Sequence, residues 1–269
     1  MIQKIIKIFF LISLLYLFLG CDNTKIKYIE NINFKDANLK KSIKEYLLKN
    51  KYYNITDVKK LELTKSKIVF LDGIESFKDL EYLDLKANRI EDITPIKRLL
   101  RLEKLILSLN YFTDISPLEN IESLKYLEIQ ALLKVKNFDS ISNIKSLEYL
   151  NLLGNSLKDS DLKNIKSDSL KHLDLSFNEL TNLDTIKNFP HLEVLVLSSN
   201  KINDISGIKY LKKLTKINLT GNNIKNIYPL VANKNIYNST IYIHVNPLDE
   251  KSIKEYIPIL EKRGNFVGY

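Results

Sequence analysis

Three histidines, one cysteine and a scatter of carboxylates are the groups through which this chain of 269 residues could do chemistry. His172, His191 and His244 lie in three separate stretches, and none belongs to an HExxH pair that would present two imidazoles to a zinc ion. There is no cysteine pair, no glycine-rich loop to cradle a phosphate and no GxSxG nucleophile elbow. His172 and Asp174 alternate along the chain and so share a face, but no nucleophile stands beside them, and they read as a surface pair. Asp84, Glu128 and Asp174 hold the same place in a repeating frame, which could suggest a carboxylate cluster. Ile106 and Asn151 intervene between them, so they read as solvated charges. No catalysis, metal, cofactor or small-molecule substrate is expected.

The cysteine has a different message. Met1 to Lys7 carries two lysines, and Ile8 to Leu19 is an apolar run of twelve residues interrupted only by Ser13 and Tyr16. A membrane-spanning helix needs about 20 residues to cross about 30 Å of hydrocarbon, so this run has the length of a signal-peptide core. Gly20 and Cys21 follow it directly, then the polar Asp22-Asn23-Thr24-Lys25. Phe18-Leu19-Gly20-Cys21 resembles the lipobox of bacterial lipoproteins, although that family prefers Leu three residues before the Cys and a small residue two before. The resemblance implies that residues 1–20 are removed and that Cys21 is acylated, with 21–30 as a short tether. Each buried methylene adds about 0.8 kcal/mol, so more than one acyl chain would anchor stably.

Apolar residues make up 45% of the chain, enough for a continuous core and unlike a disordered protein. With a single cysteine there is no internal disulfide, and packing must hold the fold. The formal charge is +9, or +7 once Lys4 and Lys7 are removed. Lysines are scattered and interleaved with acids, which reads as a solvated surface and not a nucleic-acid footprint.

The middle of the chain is one motif in register. LEYLDLKANRIEDITPIKRLLR begins at Leu80, and similar units begin at Leu102, Leu124, Leu147, Leu170, Leu192 and Leu214, at intervals of 22, 22, 23, 23, 22 and 22 residues. A less regular unit starts at Val58, and a truncated one contains Ile241, Ile243, Asn246 and Leu248. The LxxLxLxxN frame and the tails IEDITPI, FTDISPL, INDISGI and IKNIYPL resemble the leucine-rich repeat, in the 22-residue form of internalin-like bacterial proteins. The resemblance covers residues 30–269. It implies an α/β leucine-rich repeat solenoid, with a curved parallel sheet on the concave side and short 3-10 or irregular segments on the convex side.

Elementary geometry supports that fold. Alternation puts both leucines of LxL on one face of a short strand, which cannot bury that face alone but can do so when units stack. The Asn closing each frame (Asn88, Asn110, Asn155, Asn178, Asn200, Asn222 and Asn246) carries donors and an acceptor for buried backbone groups of neighbouring turns. Leu132 interrupts this ladder between two 23-residue intervals and predicts a local distortion of the spine. Residues 31–57 are read as an N-terminal cap, with Asp36 as N-cap of a helix bearing Leu39, Ile43, Tyr46 and Leu47 on one face. Repeats then span 58–248. Residues 249–269 resemble the family's closing helix and last strand; Asp249 caps the helix, Gly264 ends it and Pro258 kinks or shortens it.

Residues between the leucines would face solvent on the concave side. Tyr82, Ile106, Leu109, Tyr126, Tyr149, Leu153, Phe177, Val194 and Val196 are expected to form one apolar stripe there, with Tyr126, Tyr149 and Phe177 at its centre and Lys104, Glu128 and Lys216 around it. Contiguous apolar and aromatic surface of this kind suits a protein partner. The expected function is that of a lipid-anchored protein of the bacterial cell envelope, at the outer membrane or cell surface, that binds another protein: an adhesin or receptor-binding lipoprotein. The alternative is a periplasmic or envelope scaffold for a protein of the same cell. Cys21→Ala should release the chain from membranes or leave an uncleaved precursor. Detergent-phase partitioning and intact mass read this directly, and unchanged values would remove the anchor.

Overall fold

Each unit contributes three residues of strand, and the strands add one by one in chain order. The computed structural model describes residues 26–132 and 135–269; the expected signal peptide and Cys21 lie outside them. Ten strands form a single parallel sheet in sequence order: β1 (Lys60–Glu62), β2 (Tyr82–Asp84), β3 (Lys104–Ile106), β4 (Tyr126–Glu128), β5 (Tyr149–Asn151), β6 (His172–Asp174), β7 (Val194–Val196), β8 (Lys216–Asn218), β9 (Thr240–Tyr242) and β10 (Phe266–Gly268). The central leucines align from strand to strand, Leu83 with Leu105, then Leu127, Leu150, Leu173 and Leu195. These and the leucines two residues on (Leu85, Leu107, Leu152, Leu175, Leu197) are fully buried, so one core runs the length of the solenoid.

Behind the sheet, the repeated tails explain their own spelling. The acid or amide of each tail accepts a hydrogen bond from the backbone N–H two residues on: Asp92 from Thr94, Asp114 from Ser116, Asn182 from Asp184, Asp204 from Ser206 and Asn226 from Tyr228. That bond starts a short helical turn, and a proline in its first positions (Pro95, Pro117, Pro229) loses no needed donor. Gly207 takes the proline's place in one unit because a Cβ there would lie 1.9 Å from the Leu183 carbonyl oxygen.

The asparagines behave as their chemistry requires. Asn178 donates from Nδ2 to the carbonyls of Leu152 (3.0 Å) and Leu175 (2.9 Å), and its Oδ1 accepts from the N–H groups of Asn155 (3.0 Å) and Leu157 (2.9 Å). Asn88, Asn110, Asn200 and Asn222 also bridge consecutive turns in this way. Asn155 links back to the Ile129 carbonyl, and Asn246, half-buried, to that of Leu219. Leu132 corrects the expectation of a distorted spine. It is buried, its N–H donates to Asn155 Oδ1 as the frame demands, and β4 pairs with β5 in unbroken register. The extra residue of that unit is taken up beyond it, where Asn137 adopts φ 63°. In the next unit, the extra residue accompanies an α-helical turn, Asp159–Leu162.

A second ladder escaped the sequence reading. Ser123, Ser146, Ser169 and Ser239 each donate from Oγ to a carbonyl of the preceding turn: Leu102, Leu124, Leu147 and Leu214. Both ends are closed as expected. Asp36 accepts the N–H groups of Asn38 and Leu39 at the start of the helix Ala37–Asn50. With its other oxygen it accepts those of Val69 and Phe70, which ties the cap to the first repeat. At the far end, Ser252–Tyr256 winds as a π-helix and runs without a break into the α-helix Ile257–Lys262, so Pro258 stands just past the π segment and does not end the helix.

Asn178→Ala is expected to destabilise the array by about 1–3 kcal/mol, because several buried backbone groups lose their partner together. Half-buried Asn246→Ala should cost less. Urea unfolding of the two variants against the parent gives both values.

Candidate protein-binding face

In-register pairing places the residue before each central leucine in one row across the sheet, and the row forms a continuous stack. Lys60 Nζ lies 4.8 Å from the Tyr82 ring centroid. Lys104 Nζ sits between two rings, 5.4 Å from Tyr82 and 4.0 Å from Tyr126. Tyr126 stacks on Tyr149 with centroids 4.0 Å apart and planes 5° from parallel, and Tyr149 stacks on His172 at 4.3 Å and 26°. The strand spacing of about 4.8 Å is close to the separation of stacked rings, so parallel pairing of flat side chains builds this column without strain. Cations between rings add cation–π attraction. Because the ring faces are spent on one another, the column offers a visitor ring edges, hydroxyls and ammonium groups.

The next row, the residues after the central leucines, is less solvated than expected. Glu128 is only 9% exposed. Its carboxylate accepts from the Tyr126 hydroxyl (3.1 Å) and from Ser108 Oγ (3.1 Å), and Lys86 Nζ lies 3.8 Å away. Glu128 is therefore a held, buried carboxylate, which corrects its reading as a solvated charge. Burial also raises the Asp84 carboxyl, helped by the nearby charges of Glu128 and Glu62 and opposed by the Lys86 N–H that it accepts. The Tyr126 hydroxyl is pushed well up, first by burial and then by Tyr149 and Glu128. His172 is lowered by burial and by Lys216, against the pull of Asp174.

The nine residues expected in one stripe do not form one. Tyr82, Tyr126, Tyr149, Leu153, Val194 and Val196 are half-buried on this face, while Ile106 is closed off at 9% exposure. Leu109 and Phe177 are the exposed pair, at 46% and 61%, but they lie three residues beyond their strands with φ of 58° and 55°. That left-handed geometry recurs at this place in the frame, at Ala87, Ala131, Gly154, Ser199 and Gly221, and turns the chain off the sheet. Phe177 therefore does not stand beside Tyr149. Its expected place belongs to His172, aligned with Tyr149 by β5–β6 pairing. The signal was available in the sequence, since His172 shares the frame position of Tyr126 and Tyr149. Among the described residues no group of three or more His, Cys, Asp or Glu could hold a metal ion, and no helix is long and apolar enough to cross a membrane.

Parallel turns in register, buried leucines and an amide ladder define a leucine-rich repeat solenoid. A family model described as Leucine Rich repeats (2 copies) matches residues 168–210 and 190–232. Among solved structures, the chain is similar to internalin C2 from Listeria monocytogenes, at TM-score 0.64 and 24% identity, covering 83% of this chain and 96% of that one. A leucine-rich repeat protein of Leptospira interrogans matches at TM-score 0.61 and 24% identity, over 80% of this chain and 62% of that one. A plant peptide hormone receptor, in complex with RGF2, matches at TM-score 0.55 and 21% identity, over 71% and 33%. No curated protein matches by sequence. At these identities the likeness concerns the fold.

Burial favours the neutral form of the His172 ring that stacks on Tyr149. Its NMR titration midpoint is expected below the ordinary histidine value of about 6.5 and should return toward it in Tyr149→Ala. Since the unfolded chain takes up that proton first, stability should fall as the pH drops through this range; a midpoint at or above the ordinary value would contradict the stack.

Proposed function

We propose that this chain is a lipid-anchored envelope protein that binds another protein through the sheet face of its repeats, as an adhesin or receptor-binding lipoprotein. The observation that carries the binding reading is the column from Lys60 to His172. It is a pre-ordered aromatic and cationic surface whose side chains are already fixed by stacking, so little rotamer freedom remains to be lost on association. A second apolar element, Val194 and Val196, adjoins it on β7, and Lys216 and the lysines of the column supply charge for steering. Protein binding also suits the fold: the similar plant receptor is itself in complex with RGF2. The lipobox-like Phe18-Leu19-Gly20-Cys21 supports the anchor at Cys21 and a place in the cell envelope.

A partner captured by crosslinking from the sheet face gives the test. Replacing Tyr126, Tyr149 and His172 with Ser should weaken its binding by at least about a hundredfold, since interface energy concentrates on a few large side chains. The leucine core is untouched by these changes. Replacing Lys97, Lys187 and Lys209 behind the sheet should leave affinity nearly unchanged. The reverse result would move the site off the sheet. Protease treatment of intact cells separates the adhesin from an internal scaffold, because only a surface-exposed protein is digested.

A further inference from the structure

The positive charge of this protein is not spread along it. Residues 26–67, the N-terminal cap and the first ten residues of the first turn, hold eleven lysines against five acids, a net charge of +6, whereas the rest of that turn, 68–79, holds one lysine against three acids. The remaining residues, 68–269, hold 27 basic and 26 acidic side chains, a net charge of +1. The lysines are therefore not evenly scattered but densest at the N-terminal end. The repeats pair their charges along the sheet margin, as in Glu103 with Lys125 (3.0 Å) and Glu148 with Lys171 (3.1 Å). The cap does not have the acids to do so.

Its acids are, moreover, occupied, Asp57 by the Asn54 amide at 3.1 Å. Glu30 lies 2.6 Å from Lys40 and 3.6 Å from Lys44, Glu45 lies 3.9 Å from Lys41, and Glu62 lies 2.9 Å from Lys60. Asp36 is buried on backbone N–H groups. Lys27, Lys35, Lys49, Lys51, Lys65 and Lys67 are all exposed, and among the described residues none has a carboxylate within 4.0 Å. Lys35 extends over the ring of Phe70, which is itself 42% exposed at this end.

This end is also where the chain would meet the membrane. Ile26 and Ile29 are buried in the core, so the described fold begins five residues after Cys21. Five residues reach at most about 18 Å when fully extended. The Debye length is about 8 Å at physiological salt, so an anchored cap stays within about two screening lengths of the headgroups.

We propose that the N-terminal cap is an electrostatic docking surface for anionic phospholipid headgroups of the membrane that holds the anchor. It would set the solenoid end-on to that membrane, with its sheet face turned sideways toward a partner. The proposal rests on the anchor reading for its biological setting, but the surface itself does not need the acyl chain. Each lysine near an anionic surface adds only a modest attraction, so six unpaired lysines give weak, reversible and salt-sensitive binding.

The test uses residues 21–269 carrying Cys21→Ser, which keeps every described residue and removes acylation. Sedimentation with vesicles of phosphatidylcholine and phosphatidylglycerol should retain the protein, while pure phosphatidylcholine vesicles should not. Binding should vanish at about 1 M salt, where the Debye length is about 3 Å. Changing Lys27, Lys35, Lys49 and Lys51 to Gln should lower binding at least about tenfold. The same charge change at Lys187, Lys209, Lys212 and Lys213 should leave it nearly intact. Should the first set fail to fold, the pairs Lys27/Lys35 and Lys49/Lys51 carry the same comparison. No preference for anionic vesicles, or an equal loss from both sets, would overturn the proposal. Equal, salt-sensitive capture of a random-sequence DNA duplex would make the patch a general polyanion binder and overturn it too. Failure of the anchor reading would show separately, in the mass and partitioning of Cys21→Ala.

Discussion

A single turn of this chain cannot fold by itself. Its strand is three residues long, its leucines point to one side, and its tail is a short helical turn with little to bury. Only the next turn, laid against it in register, closes that apolar face and accepts its backbone donors. The register is held twice, by parallel strand pairing on one side of the leucines and by amides bridging turns at the strand exits. Those amides are buried, where an unmet donor or acceptor costs about 1–3 kcal/mol, so a slipped turn would be penalised at several groups together. The caps answer the same constraint at the ends, where no next turn exists.

Everything on the sheet face inherits that register. Side chains at one frame position are brought to strand spacing whatever their chemistry, and flat or cationic ones find stacking partners there. Tyr126, Tyr149 and His172 become a rigid column, and Lys104 is wedged between rings. The neighbouring row shows the other consequence. Glu128, between Ile106 and Asn151 on the neighbouring strands, is drawn out of water and held by a tyrosine hydroxyl, a serine and a lysine. A face of this kind presents fixed groups to a partner, which favours binding over chemistry.

The two ends of the array divide the remaining labour. The C-terminal end finishes the sheet with β10, whereas residues 26–67 carry a net charge of +6 and lie close in sequence to Cys21. Charge placed at one end of an elongated body orients that body in a field, and a membrane of anionic lipid supplies such a field. Anchor and cap would then act in the same direction.

Spacing alone was enough to read a solenoid of stacked turns. Leucine and asparagine spacing is a direct copy of strand alternation and solenoid pitch, and Asp36 announced its helix by the ordinary chemistry of N-caps. It also indicated which strand residues alternate with the buried leucines, because frame position decides which side of a strand a residue occupies. Tertiary structure alone decided what those residues do to each other. Phe177 shares the aromatic character of Tyr149, yet sits on a left-handed turn and leaves the sheet, while His172, set aside as a surface histidine, completes the stack. Ile106 and Glu128 read as exposed and are buried, since exposure depends on the size of side chains one strand away, 22 residues distant in the chain. Leu132 broke a sequence pattern without breaking the backbone frame, because strand pairing held the register where the amide was missing. Periodicity reports what each residue contributes to its own turn; contacts between turns exist only once the turns are stacked.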